Sequence, residues 1–241
     1  MEATDPRRTI RRVVDHDVTL LLVRHGEAEG NKERRFIGQS DVPLSDLGRR
    51  QALAIADRLT EVPISRIVSS DLQRARDTVN PLAEMLQLAV ETHKGLREIE
   101  NGEWSGLLAS EIEQLWPEMW DKYRLGEDVP RPGGERWADV RARVVEAVTE
   151  VADGAAPGEV VVVSTHGGPA LQLVMWAAGI TWDGNIFRGS FGAILNASIS
   201  TIRLPGPRLL GYNDVGHLAG GLLAEVTLPF RPGPITPGSP K

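Results

Sequence analysis

The chain has 241 residues, a formal net charge of −6 and no cysteine, which excludes disulfides, thiolate nucleophiles and thiolate metal ligands. Its length suits one large α/β domain, and its acidic charge balance lacks the basic footprint of a nucleic-acid-binding protein. No apolar run approaches the roughly 20 residues of a membrane-spanning helix, and the N-terminus shows no signal-peptide pattern, so we expect a cytoplasmic protein without a membrane or nucleic-acid partner.

Apolar strand-like runs alternate with helical patterns along most of the chain. The run of four valines at 160–163 is the clearest strand, because a strand that is apolar on both faces is typical of a parallel sheet. We expect Asp71 to cap the second helix. The alternation predicts a three-layer αβα sandwich with a mostly parallel central sheet and helices on both faces. Strands are predicted at 18–23, 64–68, 160–164 and 197–204, and helices at 46–59, 71–88, 139–151 and 169–179.

Three segments interrupt or flank this alternation. Residues 1–16 are polar and basic, and residues 229–241 are rich in proline and glycine, so we expect both ends to be disordered around a single domain over 17–228. Residues 107–136 predict an inserted helical cap above the C-terminal ends of the strands. Core packing is the favoured role of its aromatic side chains, with a substrate-pocket wall as the alternative. These side chains are Trp116, Trp120 and Tyr123.

Chemically active side chains follow three of the predicted strands. The first strand ends in Arg24 and His25, the second leads to Arg74, and the third to His166. Ligands of open α/β sheets bind at the carboxyl ends of the strands, so we expect these residues to converge. Arginine forks and helix N-termini both suit phosphate oxygens. A neutral His25 imidazole can attack phosphorus to form a phosphohistidine, while His166 can donate to the phosphoryl oxygens.

The oxygen that leaves the phosphorus needs a proton from a nearby carboxylic acid. The segment 96–104 offers three candidates, Glu98, Glu100 and Glu103. Physical reasoning on the sequence does not choose among them.

These motifs resemble the histidine phosphatase superfamily, also called phosphoglycerate-mutase-like, and within it the phosphatase branch. The resemblance spans about residues 18–218, and five motifs occur in the expected order. The motifs are Arg24-His25-Gly26-Glu27 with Asn31, Gly38 to Ser45 with Gly48, Ser69 to Ala75, Leu96-Arg97-Glu98 with Gly102-Glu103-Trp104 and Gly106, and Thr165 to Gly168.

The resemblance implies a metal-independent phosphomonoesterase that hydrolyses a small phosphorylated metabolite and needs no cofactor. His25 is then the phosphate acceptor and Glu98 the proton donor. Asn31 and Gln39 are candidates for substrate binding, although loop hydrogen bonding is an equal alternative for each. The residues implied to hold the phosphoryl group are Arg24, Arg74 and His166, with Asn31 assisting.

Two other functions stay open. A cofactor-dependent phosphoglycerate mutase is one, but the short region before the last motif and its Pro132-Gly133-Gly134-Glu135 resemble the phosphatase branch. A non-catalytic phospholigand-binding module is the other, and the presence of both histidines and Glu98 argues against it. The oligomeric state is undetermined, with a homodimer as one option.

Overall fold

A six-stranded sheet lies at the centre of the computed structural model, which describes residues 17–30, 33, 35–181 and 191–223. The strands are β1 (Val18–Arg24), β2 (Ile64–Ser69), β3 (Val90–Thr92), β4 (Val160–Thr165), β5 (Ile199–Leu204) and β6 (Arg208–Asp214). Their order across the sheet is β3-β2-β4-β1-β5-β6. The first four neighbours are parallel, and β5 runs antiparallel to both β1 and β6. The predicted mostly parallel sheet is therefore confirmed.

Helices cover both faces of this sheet, as the apolar strands require. Leu20 and Leu22 of β1 point to the face covered by α5 and α6, whereas Leu21 and Val23 point to the face covered by α1 and α2. The valine strand β4 behaves in the same way, with its alternate side chains fully buried on opposite faces. These packings confirm the three-layer sandwich. The helices are α1 (Asp46–Leu59), α2 (Gln73–Leu86), α3 (Ala109–Leu115), α4 (Pro117–Arg124), α5 (Trp137–Asp153) and α6 (Gly167–Ala177).

One predicted helix start is wrong. Helix α2 begins at Gln73, and its N-terminal N–H donates to the Asp41 carboxylate at 2.7 Å. Asp71 does not cap it, because both oxygens of that carboxylate accept hydrogen bonds from Arg97 at 2.6 Å. A charged partner distant in sequence has displaced the local capping interaction.

Strands β3 and β6 were not predicted. Strand β3 has only three residues, and none of them is fully buried. Strand β6 forms an antiparallel edge with alternating exposure. Neither has the continuous apolar character that marks the central strands.

The cap segment contains α3 and α4 and has its own small core. Trp120 and Tyr123 are buried there against Trp104 and Phe36, while Trp116 is partly buried at the margin. The aromatic side chains therefore pack as a core, as favoured from their spacing. The terminal segments 1–16 and 229–241, expected to be disordered, lie outside the described residues. Within the described part of the chain, no helix is long and apolar enough to cross a membrane.

Candidate active site

The three strands that precede the candidate residues are neighbours in the sheet. Strand β4 lies between β2 and β1, and their C-terminal ends are level, because Thr165 pairs with Arg24 and Ser164 pairs with Ser69. The rings of His25 and His166 consequently lie with their centroids 5.1 Å apart in an edge-on arrangement. Residues separated by about 140 positions in the sequence thus meet at one edge of the sheet.

Among the described residues, the hydrogen bonding of His25 leaves one ring nitrogen available. Nδ1 lies 2.6 Å from the carbonyl oxygen of Gly26. Because a carbonyl oxygen only accepts hydrogen bonds, Nδ1 must carry the hydrogen, and Nε2 of the neutral ring keeps its lone pair. The side chain is buried, with 4% of its surface exposed. This is the tautomer that an attacking Nε2 requires.

Burial and positive neighbours also keep His25 neutral. Loss of hydration is the main reason why the pKa of His25 lies well below 6.5, and the charges of Arg74 and Arg24 lower it further. The same three influences, together with His25, lower the pKa of His166 well below 6.5. Both imidazoles are therefore uncharged at neutral pH.

Two arginines bring positive charge to this pocket. Arg74 is buried and donates to the carbonyl oxygens of Ser40 and Gly38 at 2.7 Å each. Within the described part of the chain, three of its five N–H donors remain. Arg24 donates to the carbonyl of Ile194, and its buried Nε has no partner among the described residues. Burial lowers the pKa of Arg24 to about 10, so this guanidinium stays charged at neutral pH.

His166 occupies the N-cap position of α6. Its Nε2 lies 2.9 Å from the hydroxyl of Ser70, whereas its buried Nδ1 has no hydrogen-bond partner in the described chain. Gly167 follows, and a β-carbon there would lie 3.3 Å from the guanidinium of Arg24. Glycine at this position therefore lets the arginine pack closely against the start of α6.

The structure distinguishes the three candidate acids. The carboxylate of Glu98 reaches the start of α6, where the Gly168 N–H donates to it at 3.3 Å. The carboxylate of Glu100 instead accepts from Gly102 in a local turn at 3.1 Å, and Glu103 is exposed. Of these three acids, only Glu98 contacts Gly168, which lies two residues after His166.

Gln39 and Asn31 are the two candidate substrate-binding residues. Gln39 donates to the carbonyl of Glu98 at 3.0 Å and accepts from Arg97 at 3.1 Å. Gln39 therefore stabilises the segment that carries Glu98, and one of its amide N–H groups has no acceptor among the described residues. Asn31 lies outside the described residues.

Sequence reasoning missed several residues that hold the backbone around His25. The Asn196 amide donates to the carbonyl oxygens of His25 and Gly26 at 3.1 and 3.3 Å. Thr78 accepts from the Gly26 N–H at 2.9 Å, and the buried Gln51 accepts from the Glu27 N–H at 2.7 Å. A polar residue on the buried face of a predicted helix, such as Gln51 or Thr78, was the one available sign.

A model described as the histidine phosphatase superfamily (branch 1) matches residues 20–214. The chain therefore belongs to this superfamily, and the resemblance seen in the five motifs is confirmed.

Three individual proteins illustrate what this chain is similar to, and two of them are named as phosphatases. Phosphoglycerate mutase-like protein 4 of Arabidopsis thaliana is 35% identical over 83% of this chain and 86% of its own length. The metal-independent phosphoserine phosphatase of the same plant is 33% identical over 86% of each chain. The solved structure of mycobacterial glucosyl-3-phosphoglycerate phosphatase superimposes with a TM-score of 0.70 at 33% identity and covers 82% of this chain and 99% of its own. Phosphatases among its relatives support phosphatase activity in this chain.

Proposed function

We propose that the chain is a metal-independent phosphomonoesterase that hydrolyses a small phosphorylated metabolite through a phosphohistidine on His25. The observation that carries the proposal is the neutral His25 ring, whose Nδ1–H is held by Gly26 and whose Nε2 is available. Arg24, Arg74 and His166 surround this ring and supply donors for phosphoryl oxygens. Buried donors that lack an acceptor among the described residues suit an anion that supplies one.

Two steps complete the reaction. His25 Nε2 forms a bond to phosphorus while the bond to the leaving oxygen breaks, and the Glu98 carboxyl gives that oxygen its proton. Water then attacks the phosphohistidine, the Glu98 carboxylate takes its proton, and the P–N bond breaks to release inorganic phosphate. With the Ser70 hydroxyl donating to Nε2 of His166, Nδ1 of that ring carries a hydrogen for a phosphoryl oxygen.

A phosphatase screen over a metabolite panel in the presence of EDTA, followed by single-turnover labelling, tests this proposal. The labelled protein is quenched in alkali, where phosphohistidine persists, and then exposed to acid, where it hydrolyses. We expect the wild type to release phosphate with EDTA present and to carry an acid-labile label.

His25→Ala should carry no label, whereas His217→Gln, which removes a histidine that contacts the Ala197 carbonyl, should be labelled like the wild type. Turnover by His25→Ala with an acid-labile phosphoprotein contradicts the proposed nucleophile. If the wild type releases phosphate from no monoester, the non-catalytic phospholigand-binding module takes its place.

A phosphoglycerate mutase is the second candidate, because one relative is named phosphoglycerate mutase-like. Both reactions share the phosphohistidine and differ in whether water or a second hydroxyl accepts the phosphoryl group. Measuring both rates on one preparation with 3-phosphoglycerate separates them. A phosphatase releases phosphate faster than it isomerises, whereas a mutase isomerises faster and depends strongly on 2,3-bisphosphoglycerate.

A further inference from the structure

Arg143, in the middle of α5, donates hydrogen bonds from every N–H of its guanidinium. A guanidinium has five such hydrogens in a planar fork. Two of them bind the Glu135 carboxylate, and the other three bind carbonyl oxygens of the segment that carries Glu98. The bonds run from Nε to Glu135 Oε1 (2.7 Å), from Nη1 to the carbonyls of Gly95 (2.9 Å) and Arg97 (2.7 Å), and from Nη2 to the Glu98 carbonyl (2.9 Å) and Glu135 Oε2 (2.9 Å).

Glu135 extends the same arrangement to the other side of Glu98. Its carboxylate accepts the Glu100 N–H at 2.8 Å, and its own N–H donates to the Glu100 carbonyl at 2.9 Å. Arg143 and Glu135 are about four-fifths buried as side chains. The ion pair therefore holds the backbone on both sides of Glu98, from 95 to 100.

The backbone of this segment depends on such side-chain contacts. A single 3-10 turn at Lys94–Leu96 is followed by residues 97–101, which have no regular secondary structure and no strand ladder to fix them. Thr165 binds the carbonyl of Leu96 at 2.7 Å, and Gln39 binds that of Glu98. Arg143 adds three hydrogen bonds, to the carbonyls of Gly95, Arg97 and Glu98.

We infer that Arg143, fixed by Glu135, is a positioning residue that sets the place of the Glu98 carboxyl beside the start of α6. This inference rests on the proposed function, in which Glu98 protonates the leaving oxygen. Arg143 touches the backbone of the acid and not its carboxylate, whose hydrogen bonds come from the N–H groups of Ile99 and Gly168. Loss of Arg143 should therefore impair the proton transfer and leave the nucleophile in place.

Substrates whose leaving groups differ in their need for a proton distinguish a positioning role of Arg143 from a purely structural one. An alkoxide needs the proton as it departs, whereas 2,4-dinitrophenolate is stable without it. The quantity to compare is kcat/KM, because it reports the transfer to His25 and not the later hydrolysis. For Arg143→Met we expect kcat/KM to fall about 100-fold on the best alkyl monoester from the screen, the cost of a misplacement of about 1 Å. On 2,4-dinitrophenyl phosphate we expect a fall of no more than about 3-fold, because little proton transfer is needed there.

Companion variants keep the test decisive if Arg143→Met folds poorly. Arg143→Lys keeps the charge but has three donors without the planar fork, so it should show the same selectivity with a smaller loss. Glu98→Gln should reproduce the selectivity in full, and adding Arg143→Met to it should lower kcat/KM on the alkyl ester by less than about 3-fold, since coupled residues are not additive.

Arg66→Met is the matched control. Arg66 forms a similar two-bond pair with Glu91 and also donates to a helix carbonyl, that of Val151, but it contacts no part of the segment from 95 to 100. It should leave the ratio of the two kcat/KM values unchanged.

An equal loss on both substrates by Arg143→Met and Arg143→Lys, or full activity of both variants on the alkyl ester, overturns the inference. The proposed function has its own failure, which is a wild type that hydrolyses no monoester. A wild type that is active, with a selective Glu98→Gln and an unselective Arg143→Met, retains the function and rejects the positioning role.

Discussion

At the scale of single residues, the neutral state of His25 is the feature that the pocket controls most directly. Desolvation first, and then Arg74 and Arg24, lower its pKa well below 6.5. A protonated imidazole cannot attack, so lowering the pKa extends the active form toward acidic pH. In the proposed mechanism, the arginines that hold the phosphoryl group therefore also keep the His25 imidazole neutral.

The pH dependence of kcat/KM should show this effect. With rates expressed per dianionic substrate, whose second pKa is about 6, we expect activity to persist below pH 6.5 and the acidic limb to lie well below that value. NMR titration of the imidazole nitrogens gives an independent measurement, in which His25 and His166 should stay neutral as the pH falls past 6.5. An inflection near 6.5 for His25 would show that the pocket does not depress its pKa.

Gly168 offers a second residue-scale prediction. A β-carbon there would lie 2.4 Å from the ring of Trp137 and 2.6 Å from Oε1 of Glu98. Gly168→Ala should therefore displace the acid, lower kcat/KM on an alkyl monoester by about 100-fold, and reduce the free energy of unfolding by about 1–3 kcal/mol through overpacking. Gly211→Ala is the control, because its β-carbon would meet Thr201 at an ordinary 3.5 Å. Unchanged activity of Gly168→Ala would show that Glu98 can shift without loss.

At the scale of elements, the sandwich and the cap are held by separate apolar clusters. The sheet packs on α1 and α2 on one face and on α5 and α6 on the other, whereas α3 and α4 pack around Phe36 and Trp104. Because the clusters are separate, we expect the cap to open without unfolding of the sheet.

Trp120→Ala tests this independence. Trp120 is 3% exposed in the cap cluster, and truncating a buried tryptophan costs about 3–5 kcal/mol. We expect hydrogen exchange to accelerate over residues 107–136 while β1 and β4 stay protected. Leu115→Ala, at a position that is 61% exposed, should change stability by no more than about 0.5 kcal/mol. Equal acceleration in the cap and the central strands would show that they unfold together.

At the scale of the whole molecule, the buried histidines couple stability to pH. His25 and His166 have pKa values well below 6.5 in the folded protein, and values near 6.5 in the unfolded chain. Below pH 6.5 the unfolded chain therefore binds more protons than the folded protein, and acidification favours unfolding. The folded protein therefore keeps its full stability above pH 6.5, where both histidines are neutral in either state. It loses stability as the pH falls below 6.5.

Urea denaturation at pH 7.5 and at pH 5.5 measures this coupling. We expect the free energy of unfolding to fall on acidification, with each histidine contributing a limiting slope of about 1.4 kcal/mol per pH unit. The His25→Asn, His166→Asn double variant should show a shallower dependence between the same two pH values. An identical slope in wild type and double variant would mean that other groups account for the acid sensitivity.

Much of the architecture could be predicted because it depends on local pattern. The helix predicted at 46–59 and the β4 strand appear where their apolar patterns placed them. The predicted start of α2 was wrong because the Asp71 carboxylate binds the Arg97 guanidinium and not the helix N-terminus. The edge strand β6 was not predicted because a partly exposed antiparallel strand lacks the continuous apolar run of a central strand.

The sequence by itself determined the class of this protein, because strand and helix periods and motif order are properties of the chain. It placed His25, Arg74 and His166 at strand ends, and topology rules then implied that they meet. Only the tertiary structure decided which nitrogen of His25 is available and which carboxylate lies beside α6. It also decided that Arg143 binds the backbone of the segment that carries Glu98. Hydrogen bonds between groups far apart in sequence set these features, and residue order carries no direct record of such distances.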